Sequence, residues 1–359
     1  MLVHIQVLRF FAAVAVVAFH AAGIAPDGFK VPDGAVAFAL SYGGSGVDLF
    51  FVISGFIIFY ATHRFDASHG SKLTPAGFLR RRVERIVPLY FFVILAVTIL
   101  AVTLPATFGT PGWFTPRHIL KSLAFIAFTD GEMPVVYVGW SLEYEMYFYL
   151  AVALLMAWTH DVWRNIVMLF SALATVGRLP GVDAALGHYA FFADPMILEF
   201  VFGVIGGGVF VNGRVGWPMP VAAACAIAAL LVTNPFSRVI VSGVPFACLV
   251  AAAAFVSRKR LARSWPELAM ARLGDASYSI YLAQVNTVTL ASTFLAGLLP
   301  AIAPLLLVIV TTGIVVALGL LLNILVERPL LTFSRRLGGV RPAARIIAPT
   351  QPFPPPPAA

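Results

Sequence analysis

The chain has 359 residues, of which 60% are hydrophobic and only 11% charged, with a formal net charge of +8 and a mean hydropathy of +0.92. A soluble domain carries about 25% charged residues, so this composition excludes an ordinary soluble enzyme and points to an all-α, polytopic membrane helix bundle. The excess of Lys and Arg does not call for a nucleic-acid partner, because the cytoplasmic loops of membrane proteins collect these residues anyway.

The first apolar run, LVHIQVLRFFAAVAVVAFHAAG, holds Arg9 and His20 eleven residues apart. That spacing is about three helical turns, so the two side chains share a face roughly 16 Å apart along the axis. The run resembles a signal peptide, but a histidine within its apolar core argues for a retained first helix. Ionisable groups in a span are costly and mark function by default. The plainer role for His20 is a hydrogen-bonded packing residue.

Further apolar runs cover roughly 45–61, 86–104, 140–158, 164–178, 192–211, 217–233, 237–256, 276–297 and 302–325. With the first, these predict ten spans. The short run 118–128 is read as non-spanning, because every strongly basic loop then falls on one side. Eighteen of the 24 Lys and Arg residues lie on that side and five on the other, which predicts cytoplasmic termini in a bacterial plasma membrane. Residues 62–85 and 257–272 are then cytoplasmic and 105–139 external. Residues 1–330 form the expected membrane-embedded domain. Residues 331–359 form a basic, then proline-rich, cytoplasmic tail, expected to be disordered at its end. Cys225 and Cys248 sit in apolar runs, so packed thiols are expected, with no disulfide and no metal site.

This topology places His20, Asp48, Glu143, Glu145, Asp194 and Glu199 at a similar outer depth. A histidine beside a carboxylate suits general-base attack by a hydroxyl; Asp48 and Glu145 could equally be structural ion-pair partners or proton-relay groups. At the opposite end, FLRRRVERIVPLY gathers Arg81, Arg82 and Arg85 at a helix mouth. Such a cluster can bind phosphate, or it can serve as a topology signal or meet anionic lipid head groups.

The ordered set Arg9-x10-His20, GVDLFFVISGF at 46–56, RRVERIVPLY at 81–90, WSLEYEMYFY at 140–149, LGDASYSIYLAQ at 273–284 and VERPL at 326–330 resembles the integral-membrane acyltransferase family 3. The opening segment and LEFVFGV at 198–204 resemble its exopolysaccharide O-acetyltransferase branch. The resemblance implies acyl transfer from cytoplasmic acetyl-coenzyme A, across the bilayer, to a sugar hydroxyl of a polysaccharide or lipid-linked precursor. By the same resemblance His20, Asp48 and Glu145 are the catalytic candidates, and Arg9, Arg81, Arg82 and Arg85 the donor-binding ones. Gln284 departs from the family pattern, which often ends in histidine, and no role is carried to it. A transporter or flippase, or a lipid-binding scaffold of a polysaccharide-assembly complex, would share the composition. Transfer of acetyl by purified protein separates the enzyme from both.

Overall fold

The computed structural model describes residues 2–69, 72–105, 112–234, 237–259 and 264–337. Among these residues all regular structure is helical. The first three long helices are α1 (Val3–Ile24), α3 (Gly46–His69) and α4 (Pro75–Thr103), with a short α2 (Ala35–Ser41) between the first two. Helix α5 (Pro116–Leu123) precedes α6 (Trp140–Trp158), α7 (Val162–Val176), the short α8 (Val182–Leu186) and α9 (Ile197–Asn212). The chain closes with α10 (Pro218–Thr233), α11 (Val244–Lys259), α12 (Trp265–Asp275), α13 (Ser277–Leu298), α14 (Pro304–Leu322) and α15 (Arg328–Leu337).

All ten expected spans fall on helices, but six segments are both long and apolar enough to cross a membrane, namely Val3–Ile24, Ala35–Ala67, Pro75–Thr103, Ala184–Asn212, Val239–Arg258 and Pro304–Ser334. The other four runs fall on α6, α7, α10 and α13, which are either shorter than 18 residues or interrupted by polar residues such as Glu143, Glu145, Ser279 and Gln284. The run 118–128 becomes the eight-residue α5. At 1.5 Å per residue it is about 12 Å long, too short for a hydrocarbon core of about 30 Å. Helix α15 extends through residues 331–337, and the remainder of the expected tail lies outside the described residues.

Local sequence explains several boundaries. Thr74 caps α4 by accepting from the Gly77 amide at 3.1 Å, with Pro75 in the first turn, where its missing N–H costs nothing. Ser264 and Glu267 form a reciprocal capping box on α12. The close crossing of α3 and α9 depends on two glycines. A Cβ on Gly55 would lie 2.1 Å from the Phe200 carbonyl oxygen, and one on Gly203 would lie 2.1 Å from that of Val52. Small residues that let backbones approach are the means by which helices associate in lipid. Beside this crossing, Phe51 stacks on Phe200 at 4.7 Å and Phe148 on Phe200 at 4.6 Å, tying α3, α6 and α9 together. Gly274 serves the same purpose in the last turn of α12, where a Cβ would stand 2.0 Å from the Gln6 carbonyl oxygen of α1.

Cys225 and Cys248 are exposed thiols rather than packed ones. An apolar run in a membrane helix has an outward face as well as an inward one, so apolar sequence does not imply burial.

Candidate active site

Helices α1, α3, α4, α6 and α13 enclose a cavity of about 910 Å³. Arg9, Arg64, Arg81, Arg82 and Arg85 line it, facing a single carboxylate, Glu145. Three of the arginines follow from the spacing on α4, where Arg82 and Arg85 share a face at i, i+3. The Arg81 guanidinium lies 4.6 Å from the Phe65 ring centroid, and Arg82 lies 5.8 Å from Phe78 and 6.0 Å from Tyr149. These aromatic walls fix the guanidinium planes. Arg9 donates to Gln6 Oε1 at 3.0 Å, one turn back on its own helix. Five positive groups against one negative one form a chamber suited to a polyanion. The residues that would hold the phosphates of a coenzyme A donor are therefore present together on this wall.

Glu145 belongs to this chamber. Its Oε1 accepts from Ser54 Oγ at 2.7 Å and from the Tyr149 hydroxyl. The far end of the cavity is lined by Val47, Phe50, Ser141 and Tyr281. There the Phe50 and Tyr281 rings meet edge-on at 5.8 Å, and the Tyr281 hydroxyl contacts Ser141 Oγ at 2.8 Å and the Val138 carbonyl at 3.1 Å. Tyr278 donates to the Ile86 carbonyl at 2.8 Å. Both tyrosines thus make polar contacts from α13 to neighbouring elements.

His20 stands beyond this constriction. Its Nδ1 lies 3.0 Å from Gln284 Oε1, and its ring meets Tyr137 edge-on at 6.2 Å. Gln284 is one helical turn beyond Tyr281 on α13, so the imidazole begins about where the cavity ends. The tautomer in which Nδ1–H donates to the amide oxygen leaves Nε2 its lone pair. Gln284 is only 1% exposed, and its amide nitrogen has no hydrogen-bond partner among the described residues.

Neither expected orienting carboxylate hydrogen-bonds His20. Asp48 is fully buried at the first turn of α3, and its Oδ2 accepts from Arg238 Nη2 at 2.7 Å. Arg238 also donates to the Gly44 carbonyl at 3.2 Å, clamping the start of α3 to the segment before α11. Asp48 is buried and Arg238 half-exposed, so removal of Arg238 would strand the buried Asp48 charge, whereas loss of Asp48 leaves a guanidinium that water can reach. The outer depth expected for Glu145 does not hold: it bonds Ser54, nearly two turns inward of Asp48 on α3, and lies on the arginine side of the constriction. The rotation of each helix about its axis is not visible along the sequence either. That rotation gives Asp48 to Arg238, Glu145 to Ser54 and Tyr149, and His20 to Gln284.

Glu143, which carried no expected role, accepts from the Phe128 amide at 2.9 Å, the Thr129 amide at 3.0 Å and the Thr129 hydroxyl at 3.1 Å. It pins the 124–139 segment to α6. Glu327 of the VERPL motif accepts from Ser279 at 2.5 Å and Asn323 at 2.6 Å, joining α13 to the end of α14. Sequence reasoning missed Arg64, Ser54 and Gln284. Arg64 reads as a topogenic charge, Ser54 as part of an apolar motif, and Gln284 as a departure from a pattern. Its place at the end of that pattern is the signal that marks Gln284. Among the described residues no group of His, Cys, Asp and Glu side chains could hold a metal ion.

An all-helical bundle with several helices long and apolar enough to span a membrane, built around an arginine-lined chamber, is the architecture of a multi-pass membrane protein. A family model described as an acyltransferase domain matches residues 2–324. The chain belongs to this acyltransferase family, the one its ordered motifs resemble. It is 35% identical over 257 aligned residues to the exopolysaccharide production protein ExoZ of Rhizobium meliloti (strain 1021), covering 67% of this chain and 75% of that protein. It is 26% identical over 376 aligned positions to the acyltransferase MdmB of Streptomyces mycarofaciens, covering 94% of this chain and 92% of that one. No solved structure matches.

Proposed function

We propose that the protein O-acetylates an extracytoplasmic polysaccharide or its lipid-linked precursor, using cytoplasmic acetyl-coenzyme A as donor. The observation that carries this reading is the placement of Arg9 and His20 on one helix, with Arg9 lining the arginine-rich cavity and His20 standing past its end. Family membership and the likeness to ExoZ supply the reaction class and the kind of acceptor.

In this mechanism Arg64, Arg81, Arg82 and Arg85 hold the donor phosphates by charge-assisted hydrogen bonds. The pantetheine arm rises past Arg9 and Glu145 and carries the thioester through the Phe50–Tyr281 constriction to His20. The acceptor hydroxyl attacks the thioester carbonyl while His20 Nε2 takes its proton. An ester bond forms, the C–S bond breaks, and the imidazolium returns the proton to the departing thiolate. Gln284 holds Nδ1–H and so keeps the basic nitrogen directed at the reacting centre. Asp48 acts at one remove by fixing Arg238 and the outer end of α3. Glu145 sets the chamber wall through Ser54 and Tyr149.

The test uses full-length protein in lipid nanodiscs with acetyl-labelled coenzyme A and alkali-deacetylated exopolysaccharide from the producing cell. Label in the polymer as an alkali-labile ester is the expected result. Absence of transfer, together with flux of polysaccharide precursor across vesicles, would replace the enzyme with a flippase.

A further inference from the structure

A second concavity, of about 220 Å³, lies away from the arginine chamber. It is built from the 124–139 segment, the start of α6 and the residues between α7 and α9. Tyr137, on the first of these, packs against His20, so the concavity shares the histidine end of the bundle.

Its floor is aromatic. The Tyr144 and Phe191 centroids are 4.3 Å apart, and Phe128 lies 6.1 Å from each. Its rim is polar, formed by Thr129, Arg178, His188 and Asp194. The walls are held from outside the pocket. Glu143 binds the amides of Phe128 and Thr129 from below, and the Asp194 carboxylate accepts from the Met196 amide at 2.8 Å. Gly131 has φ +82°, and a Cβ there would stand 2.9 Å from the His188 ring, so the imidazole lies directly on the glycine backbone. None of these rim side chains takes part in the chemistry proposed at His20.

An aromatic floor with a rim of guanidinium, imidazole, carboxylate and hydroxyl groups matches one ligand chemistry well. A pyranose ring presents apolar C–H groups on one face and hydroxyls around its edge, which need both donors and acceptors in fixed directions. A lipid tail offers these rim groups no hydrogen bonds, whereas saccharide hydroxyls both donate and accept. We propose that this concavity is an acceptor subsite that binds a hexosyl residue of the saccharide, apart from the residue whose hydroxyl reacts at His20. The proposal rests on the O-acetylation reading for its substrate class, but binding is measured without turnover.

The probe is a set of alkali-deacetylated oligosaccharides from the producing cell's exopolysaccharide, titrated into full-length protein in nanodiscs with no acetyl-coenzyme A. His188→Ala removes an exposed wall and Arg178→Gln removes a rim donor. Each is expected to weaken oligosaccharide binding at least about tenfold while leaving acetyl-coenzyme A binding unchanged. In turnover the loss appears as a raised KM for acceptor with little change in kcat. Should Arg178→Gln fold poorly, His188→Ala decides alone, because its side chain is exposed. Unchanged binding in both variants, or no binding by the wild type, overturns the subsite. Binding that depends on His188 without acetyl transfer by the wild type keeps the subsite and removes the O-acetylation reading instead.

Discussion

At the residue scale, His20 and Gln284 form a pair that joins α1 to α13 across 264 positions of sequence. Replacing His20 by Gln keeps bulk and polarity but removes the basic nitrogen. Since a general base contributes about 10²–10⁴-fold, acetyl transfer is expected to fall at least about a hundredfold. Acetyl-coenzyme A binding should persist, because the arginines proposed to hold the phosphates line the opposite end of the cavity. Titration calorimetry alongside single-turnover assays checks both. Gln284→Leu removes the acceptor for Nδ1–H and leaves the imidazole free to rotate. The loss of one hydrogen bond worth about 1.4 kcal/mol corresponds to about a tenfold drop in kcat. Gln284→His supplies an acceptor nitrogen at the position where many relatives have histidine, and is expected to recover most of that rate. A purely structural role for Gln284 predicts lost protein level with unaltered kcat per folded molecule, so expression is measured in parallel.

At the scale of elements, α4 delivers the arginines and the α3–α9 crossing holds the cavity wall in place. Replacing Arg82 and Arg85 together by Gln should weaken acetyl-coenzyme A binding by about two orders of magnitude or more, since hydrogen bonds to charged groups are worth about 1.5–3 kcal/mol each and every 1.4 kcal/mol is about tenfold. If a well-inserted double variant binds normally, the cluster serves topology or lipid contact alone. Gly203→Val places a branched side chain where 2.1 Å separates an added Cβ from a backbone oxygen. The helices must part, so the expectation is loss of folded protein in detergent thermal-shift measurements, and not a selective loss of kcat.

The segment carrying α5 is held by Lys121, which bonds the Asp130 carboxylate and Glu132 at 3.0 Å. The hydrogen bond from Lys121 holds the Asp130 carboxyl below the usual aspartate range. A depressed carboxyl contributes order above its unfolded pKa and loses it as pH falls through the folded one. Limited proteolysis of this segment should therefore separate Lys121→Met from the wild type at neutral pH and fail to separate them in strong acid.

At the scale of the whole molecule, the arginine chamber and the histidine lie toward opposite ends of one bundle, and the charge bias assigns those ends to opposite sides of the membrane. On the ten-span reading of the sequence, eighteen of the 24 Lys and Arg residues share the side assigned to Arg81, Arg82 and Arg85, and we propose from the positive-inside rule that this side is cytoplasmic. In a background with the exposed Cys225 and Cys248 replaced by Ala, an impermeant maleimide added outside intact cells should label Asp33→Cys and spare Lys72→Cys. The reverse pattern would put the donor chamber on the wrong face for cytoplasmic acetyl-coenzyme A and defeat the proposed direction of transfer.

Composition, hydropathy and motif order were enough to establish the helical class, the positions of ten apolar helices, the non-spanning character of the 118–128 run and the family. These properties are local or additive, since a helix in lipid satisfies its own backbone and a loop charge counts wherever its neighbours point. The arginine constellation was legible for the same reason, because three of its members share one or two turns of α4. Partner choice was not. Asp48 and Glu143 lie at a depth that sequence can assign, Glu145 sits further inward than its place in the sequence indicates, and a rotation of about 100° per residue around each helix axis decides what a side chain meets. Only packing, through contacts such as Gly55 on Phe200 and Gly274 on Gln6, sets that rotation. It turns Asp48 toward Arg238, Glu145 toward the arginine chamber, and Gln284 toward His20.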